Sequence, residues 1–324
     1  MQRRTLLFAP CLLLVGAAPA QSAGAGNYPE KPVTLLAPFA PGGTVDIVAR
    51  LLGQQMSQDM HQTFVIENRG GAGGTIATAM LAHANPDGYT LMVQHMGLAF
   101  NAGLYDNLSF DTSRDVLPVA NIGTTPNVLV VTNSLPVKSM GEFLAYAKKN
   151  PKRINYGSGG VGSAGHVSME VLQAATGVQL THVPYKGSGP AIIDLMSGQI
   201  QAMLLTIPAV MSFIRSRQVR AIATSGRERS PALPDLPTIA ETGVKGFEYA
   251  PWYGFFAPRD TPVAVVDRVH DEVNKVLAIP DIVAKLGEQG LEVRAMSRAQ
   301  FAGIVSHDIA AWSRTIKKLG LRGE

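Results

Sequence analysis

Short apolar runs of strand length alternate with stretches of helical period along nearly the whole chain, which predicts an α/β protein with largely parallel sheets. Residues 33–37 read as a strand, and a helix-like run begins at Ile47. A strand over 63–67, a helix over 75–84 and a strand over 89–94 follow, the last ending in His95-Met-Gly97. Apolar runs at 116–122 and 128–132 flank Gly123-Thr-Thr-Pro126, which reads as a first crossover. Ser139-Met-Gly-Glu142 matches a capping box and opens a helix to Lys149. Strands at 153–156, 180–183, 200–205 and 219–224 then alternate with helices, and the Pro-rich stretch 231–237 reads as a second crossover. Thr238-Ile-Ala-Glu241 and Ser297-Arg-Ala-Gln300 are further capping boxes, the latter opening a long amphipathic helix. The layout expected is one lobe from 27–123 with 226–324, a second from 124–225, and a cleft between them.

The N-terminus changes the setting. Arg3-Arg4, an apolar stretch from Leu6 to Val15 and Ala18-Pro-Ala20 read as an export signal over residues 1–20, with cleavage near Ala20. The apolar stretch is too short to span a bilayer. Cys11, the single cysteine, falls inside the signal, so disulfides, thiolate catalysis and thiolate metal sites are excluded from the mature chain. Loss of Arg3 and Arg4, with no acidic residue among the first twenty, lowers the formal charge from +4 to +2. That excess is too small and too scattered for nucleic acid. A bacterial periplasmic protein fits best.

Two glycine-rich loops carry the candidate chemistry. Pro38-Phe-Ala-Pro-Gly-Gly-Thr-Val-Asp46 lies between a strand and a helix, so the first N–H groups of that helix point back at Phe39, Ala40, Pro41, Gly42, Gly43 and Thr44. Unpaired helix N–H groups and the positive end of the helix dipole form a socket for an anion. A turn requirement alone would also place glycines there, and Asp46 would also serve as a cap for its own helix. The second loop, Gly157-Ser-Gly-Gly-Val-Gly-Ser163, repeats the pattern, with Ser158, Gly159, Gly162 and Ser163 as donors. It matches G-x-G-x-x-G, but the next strand ends Val183-Pro-Tyr185 without the carboxylate that would hold a ribose, which argues against a dinucleotide. A nucleophile elbow at Ser163 fails because Val161 stands where glycine is required. The seven histidines show no metal-ligand spacing, so neither metal nor cofactor is expected. His95 at a strand end and His166 near a helix start remain candidates, each with a structural role as the alternative. Tyr185 could stack or donate, and Lys186 could lend positive charge, unless it is simply a surface residue. Ala72, in the glycine-rich stretch after the second strand, and Thr206, at another strand end, complete the set.

These residues resemble a known family. Tyr28-Pro-Glu-Lys-Pro-Val-Thr34 with the loop at 38–46, Glu67-Asn-Arg-Gly-Gly-Ala-Gly-Gly74, Pro86-Asp-Gly-Tyr-Thr-Leu91, the loop at 156–163, His182-Val-Pro-Tyr-Lys-Gly187 and Leu233-Pro-Asp-Leu-Pro-Thr238 occur in order over essentially the whole mature chain. Together they are similar to the extracytoplasmic solute receptors of tripartite tricarboxylate transporters, also called the Bug family. The resemblance implies a monomeric type II periplasmic binding protein of Venus-flytrap shape, without catalytic activity. It implies a carboxylate gripped between loops 39–44 and 158–163, mostly by main-chain N–H groups and ordered water, and delivery to membrane permease subunits. A two-component sensor role and, further off, an exported hydrolase are the alternatives. Two departures stand out: Gln201 where aspartate is usual, and His95-Met96 in place of a serine-rich loop, which would set His95 near the cleft mouth. With Lys186 the one strong cation expected near the site, a mono- or dicarboxylate, including an aromatic one, is favoured over a tricarboxylate.

Overall fold

The computed structural model describes residues 26–323, so the export signal expected over 1–20 lies outside the described residues. The strands are β1 (Val33–Ala37), β2 (Phe64–Asn68), β3 (Thr90–His95), β4 (Val116–Thr124), β5 (Asn127–Thr132), β6 (Asn155–Ser158), β7 (Thr181–Pro184), β8 (Ala202–Thr206), β9 (Val219–Thr224), β10 (Trp252–Pro258) and β11 (Glu292–Val293). The helices are α1 (Thr44–Asp59), α2 (Thr75–Ala82), α3 (Asn101–Leu104), α4 (Met140–Lys149), α5 (Ala164–Thr176), α6 (Ser188–Ser197), α7 (Ile207–Arg215), α8 (Val263–Leu277), α9 (Pro280–Glu288) and α10 (Arg298–Lys318).

Two sheets define two lobes. The first runs β11-β4-β10-β3-β1-β2 and the second β7-β6-β8-β5-β9. Both are mixed rather than largely parallel. β1 pairs parallel with β2 and β3, and β6 with β7 and β8, but β4, β5, β9, β10 and β11 make only antiparallel pairs. The physical reason lies in the connections. Helical crossovers return the chain parallel, whereas β4 runs into β5 across a two-residue link with no helix. The chain thus passes to the second sheet between Thr124 and Asn127, and returns between Thr224 and Trp252. The two passages are stitched together by Thr125 N–H to Pro251 O at 3.2 Å, Ser225 N–H to Asn127 O at 2.7 Å and Asn127 N–H to Ser225 Oγ at 2.7 Å.

Several elements differ from the pattern. α1 starts at Thr44, directly after Gly43, rather than at Ile47. β6 lies two residues later than expected because Gly157 and Ser158 join the ladder, pairing with Val183 and Pro184. The box at 238–241 forms both of its hydrogen bonds, Thr238 N–H to Glu241 Oε2 at 2.7 Å and Glu241 N–H to Thr238 Oγ1 at 3.1 Å, yet closes only a turn. Gly243 and Gly246, both at positive φ, follow it at once. The pattern carries no strand at 252–258, yet β10 runs there in the middle of its sheet, buried throughout. Gln201 serves the fold, accepting from Asn155 N–H at 2.9 Å and donating to Gly198 O at 3.0 Å.

Candidate functional site

Four helix N-termini converge on one small cleft between the sheets, partly open to solvent. Gly43, Thr44 and Val45 bring the start of α1, Ser163, Ala164 and Gly165 that of α5, and Ser188 that of α6; Thr206 is the N-cap of α7. Each helix begins there because its strand ends there. The N–H groups of Thr44, Val45, Ala164, Gly165 and Ser188 have no hydrogen-bond partner among the described residues, as expected for first-turn positions. Among the described residues bordering the cleft none is Asp, Glu, Lys or Arg. The positive ends that face it are therefore those of the helix dipoles.

The first loop is braced from behind. Asp46 Oδ2 accepts Gly42 N–H at 3.0 Å, while Oδ1 accepts from Asn68 Nδ2 at 3.0 Å and pairs with Arg50 at 2.9 Å. Burial alone would raise the Asp46 carboxyl, but these hydrogen bonds outweigh it and hold the group below the usual carboxylate range. Asp46 is thus neither the N-cap, which is Gly43, nor part of the cleft wall. Thr44 Oγ1 lies 2.6 Å from Thr206 Oγ1, a hydrogen bond between lobes, and the Tyr253 hydroxyl from β10 joins this pair.

His95 sits on the floor of the cleft rather than at its mouth, with 5 % of its surface exposed. Its ring stacks on Phe39, with centroids 4.9 Å apart, and meets Tyr253 edge-on. Nδ1 accepts Gly97 N–H at 2.7 Å, so the neutral ring carries its proton on Nε2. Burial pushes the imidazole pKa down to about 3 and keeps the ring neutral.

The second loop folds its side chains inward. Ser158 Oγ lies 2.6 Å from His182 Nε2 and accepts Gly160 N–H at 3.1 Å, and Ser163 Oγ caps α5 by accepting His166 N–H at 3.3 Å. Both serines border the cleft; the Ser158 hydroxyl is engaged within the protein, while Ser163 Oγ is engaged there as an acceptor. His166 does not border it. Its Nδ1 accepts Gly162 N–H at 3.2 Å, and its ring stacks on His182, which stacks in turn on Tyr156. Burial pushes His166 to about 3, with His182 adding, and His182 to about 4. Tyr185 hands its hydroxyl to Asp194 at 2.6 Å, away from the cleft. Lys186 is exposed, and what it brings to the site is a carbonyl that accepts Ala40 N–H from the other lobe at 3.1 Å. Ala40, Pro41, Gly42 and Gly162 belong to this seam or to the loops' outer turns, and Ala72 is exposed in a separate turn.

Of the seventeen expected site residues, the cleft gathers Phe39, Gly43, Thr44, His95, Ser158, Gly159, Ser163 and Thr206. It adds Gly157, and Val45, Ala164 and Gly165, which follow the N-caps Gly43 and Ser163. Ser188 stands just after Gly187 in a loop whose helix begins earlier than its Pro190 suggests. Met203 and Leu205, at alternate positions of β8, and Tyr253 of β10 carry no local signal, since only the sheet order tells which face meets the cleft.

The sequence profile described as "Tripartite tricarboxylate transporter family receptor" matches residues 48–321. The chain is 32% identical to protein BugT of Bordetella pertussis over 324 residues, 99% of each chain. Among solved structures it is similar to R. palustris Rpa4515 with adipate, at 38% identity and a TM-score of 0.88, covering 91% of this chain and 99% of that one. It is also similar to MatC from Rhodopseudomonas palustris with bound malate, at 34% identity and a TM-score of 0.85, covering 89% and 100%. The two α/β lobes with their mixed sheets form the type II periplasmic binding protein fold.

Proposed function

The chain belongs to the tripartite tricarboxylate transporter receptor family, and from that premise we propose that it captures a small organic carboxylate in the periplasm and presents it to the membrane subunits of such a transporter. It acts as a binding protein and not as a catalyst. The observation that carries this reading is the convergence of unpaired N–H groups from three helix starts on a cleft with no acidic side chain among its described residues. Charge-assisted hydrogen bonds from fixed donors are strong, and an oxyanion is the partner they suit. The thin charge budget of the cleft, with peptide dipoles and no cation, favours a mono- or dicarboxylate over a tricarboxylate. That adipate and malate occupy two relatives supports the same ligand class.

Closure is the second half of the function. The hydrogen bonds between Ala40 and Lys186 and between Thr44 and Thr206 join the lobes across the cleft, so a bound acid would be enclosed and a composite surface offered to the permease. A thermal-shift screen of the mature protein against mono-, di- and tricarboxylates and aromatic acids tests the reading. Stabilisation by an acid that is recovered chemically unchanged supports it; turnover of the acid, or no shift with any acid, contradicts it.

A further inference from the structure

We propose that His95 Nε2–H forms a distal subsite for a second oxygen acceptor on the ligand, so that the receptor selects small acids carrying a further carboxylate, hydroxyl or carbonyl oxygen over plain monocarboxylates. This rests on the carboxylate-receptor reading above and deepens it.

The argument begins with a count of donors. A carboxylate has about four lone-pair sites. The N–H groups of Thr44, Val45, Ala164, Gly165 and Ser188 already suffice to fill them. His95 adds another donor, on the β3 side of the cleft floor, and Nε2 has no partner among the described residues. A buried donor facing a ligand disfavours one that cannot accept from it. The ring is also held in place: Gly97 N–H fixes Nδ1, Phe39 covers one face and Tyr253 meets its edge. A donor fixed in this way is suited to discrimination rather than to general affinity.

The rest of the floor supports the assignment. Phe39, Met203 and Leu205 line the same cleft with apolar surface, which fits a short carbon backbone linking two oxygen-bearing ends. The Tyr253 hydroxyl is held by Thr44 and Thr206, Ser158 Oγ by His182 and Gly160, and Ser163 Oγ accepts the His166 N–H at the start of its helix.

Two substitutions separate the two ring nitrogens. In His95→Asn the amide oxygen falls where Nδ1 is and can still accept Gly97 N–H, but nothing replaces Nε2. In His95→Gln the amide nitrogen replaces the Nε2 donor. Titration calorimetry with matched probes reads the result: butyrate, succinate and 3-hydroxybutyrate in one series, benzoate, phthalate and 4-hydroxybenzoate in the other. The expected result is that wild type prefers an acid with a second oxygen over its plain partner by at least about tenfold, the worth of one such hydrogen bond. His95→Asn should erase that preference and leave the plain acid within about threefold, while His95→Gln should retain most of it. The carboxylate or hydroxyl arm that wins identifies which oxygen is read. Equal binding of plain and substituted acids by wild type, or equal losses for both in His95→Asn, would overturn the proposal while leaving the receptor reading intact. Failure of wild type to bind any carboxylate would overturn both.

Discussion

Asp46 is a buried carboxylate set beside a loop that is to receive another one, and its charge is answered by Arg50, Asn68 and Gly42 N–H. Asp46→Ala should therefore cost about 1.5–3 kcal/mol of stability through the lost hydrogen bonds to a charged group, and should weaken acid binding at least about tenfold by loosening the turn at Gly42. Denaturant unfolding and calorimetry measure the two effects, and unchanged affinity would contradict the bracing role. The buried histidines give the fold a pH signature. His95 and His166 stay neutral in the folded protein down to about pH 3, whereas unfolded histidine titrates near about 6.5. As pH falls below about 6.5, the unfolded chain takes up protons that the fold refuses, and stability drops by up to about 1.4 kcal/mol per ring per pH unit. Above that pH the two rings contribute no slope. Thermal melts should thus be flat from about pH 8 to 7 and decline below about 6, less steeply in His166→Asn. A melting temperature unchanged between about pH 7 and 5 would contradict this.

At the scale of the elements, the site is a set of helix starts rather than a set of side chains. Ser188→Asp tests that distinction. An acidic residue at the first position of α6 suits the helix dipole, so stability should hold within about 0.5 kcal/mol, while acid binding should fall at least about a hundredfold because a negative charge now faces the cleft. Acid binding retained in Ser188→Asp would argue against a cleft tuned by dipoles. The same scale explains what could be read in advance. The α/β class was legible because each strand-then-helix unit, such as β1 with α1 or β6 with α5, leaves both periodicities and a glycine-rich link in the sequence. The two glycine-rich loops were legible as links from strand to helix, which brought Phe39, Gly43, Thr44, Ser158, Gly159 and Ser163 into the expected site. β10 was not, because its apolar run is broken by Gly254 and bounded by Pro251 and Pro258, which read as loop. With β10 went Tyr253, and with it the antiparallel half of the first sheet. His166, Tyr185 and Lys186 lie outside the cleft lining for a different reason. Residues next to a ligand loop in sequence also include those that hold the loop from behind, and only the stacking of His166 on His182 or the bond from Tyr185 to Asp194 tells the two apart.

For the whole molecule, the lobes meet through glycines that leave no room for a side chain. A Cβ on Gly189 would lie 2.7 Å from Pro41 O, and one on Gly187 would lie 2.8 Å from Ala40 Cβ, each across the cleft. Gly189→Val should leave each lobe folded but oppose closure, weakening acid binding at least about tenfold, mainly through faster release. Small-angle scattering should then show a larger radius of gyration than wild type at saturating acid; equal radii would place closure elsewhere. The central claim is that backbone donors grip a carboxylate across this seam. Its most direct test is a calorimetric comparison of each acid that binds with the corresponding primary amide, which keeps the shape and removes the charge. The account predicts at least one acid bound with a Kd on the order of micromolar or tighter, and at least about a hundredfold loss for its amide. An amide bound as well as its acid would contradict it.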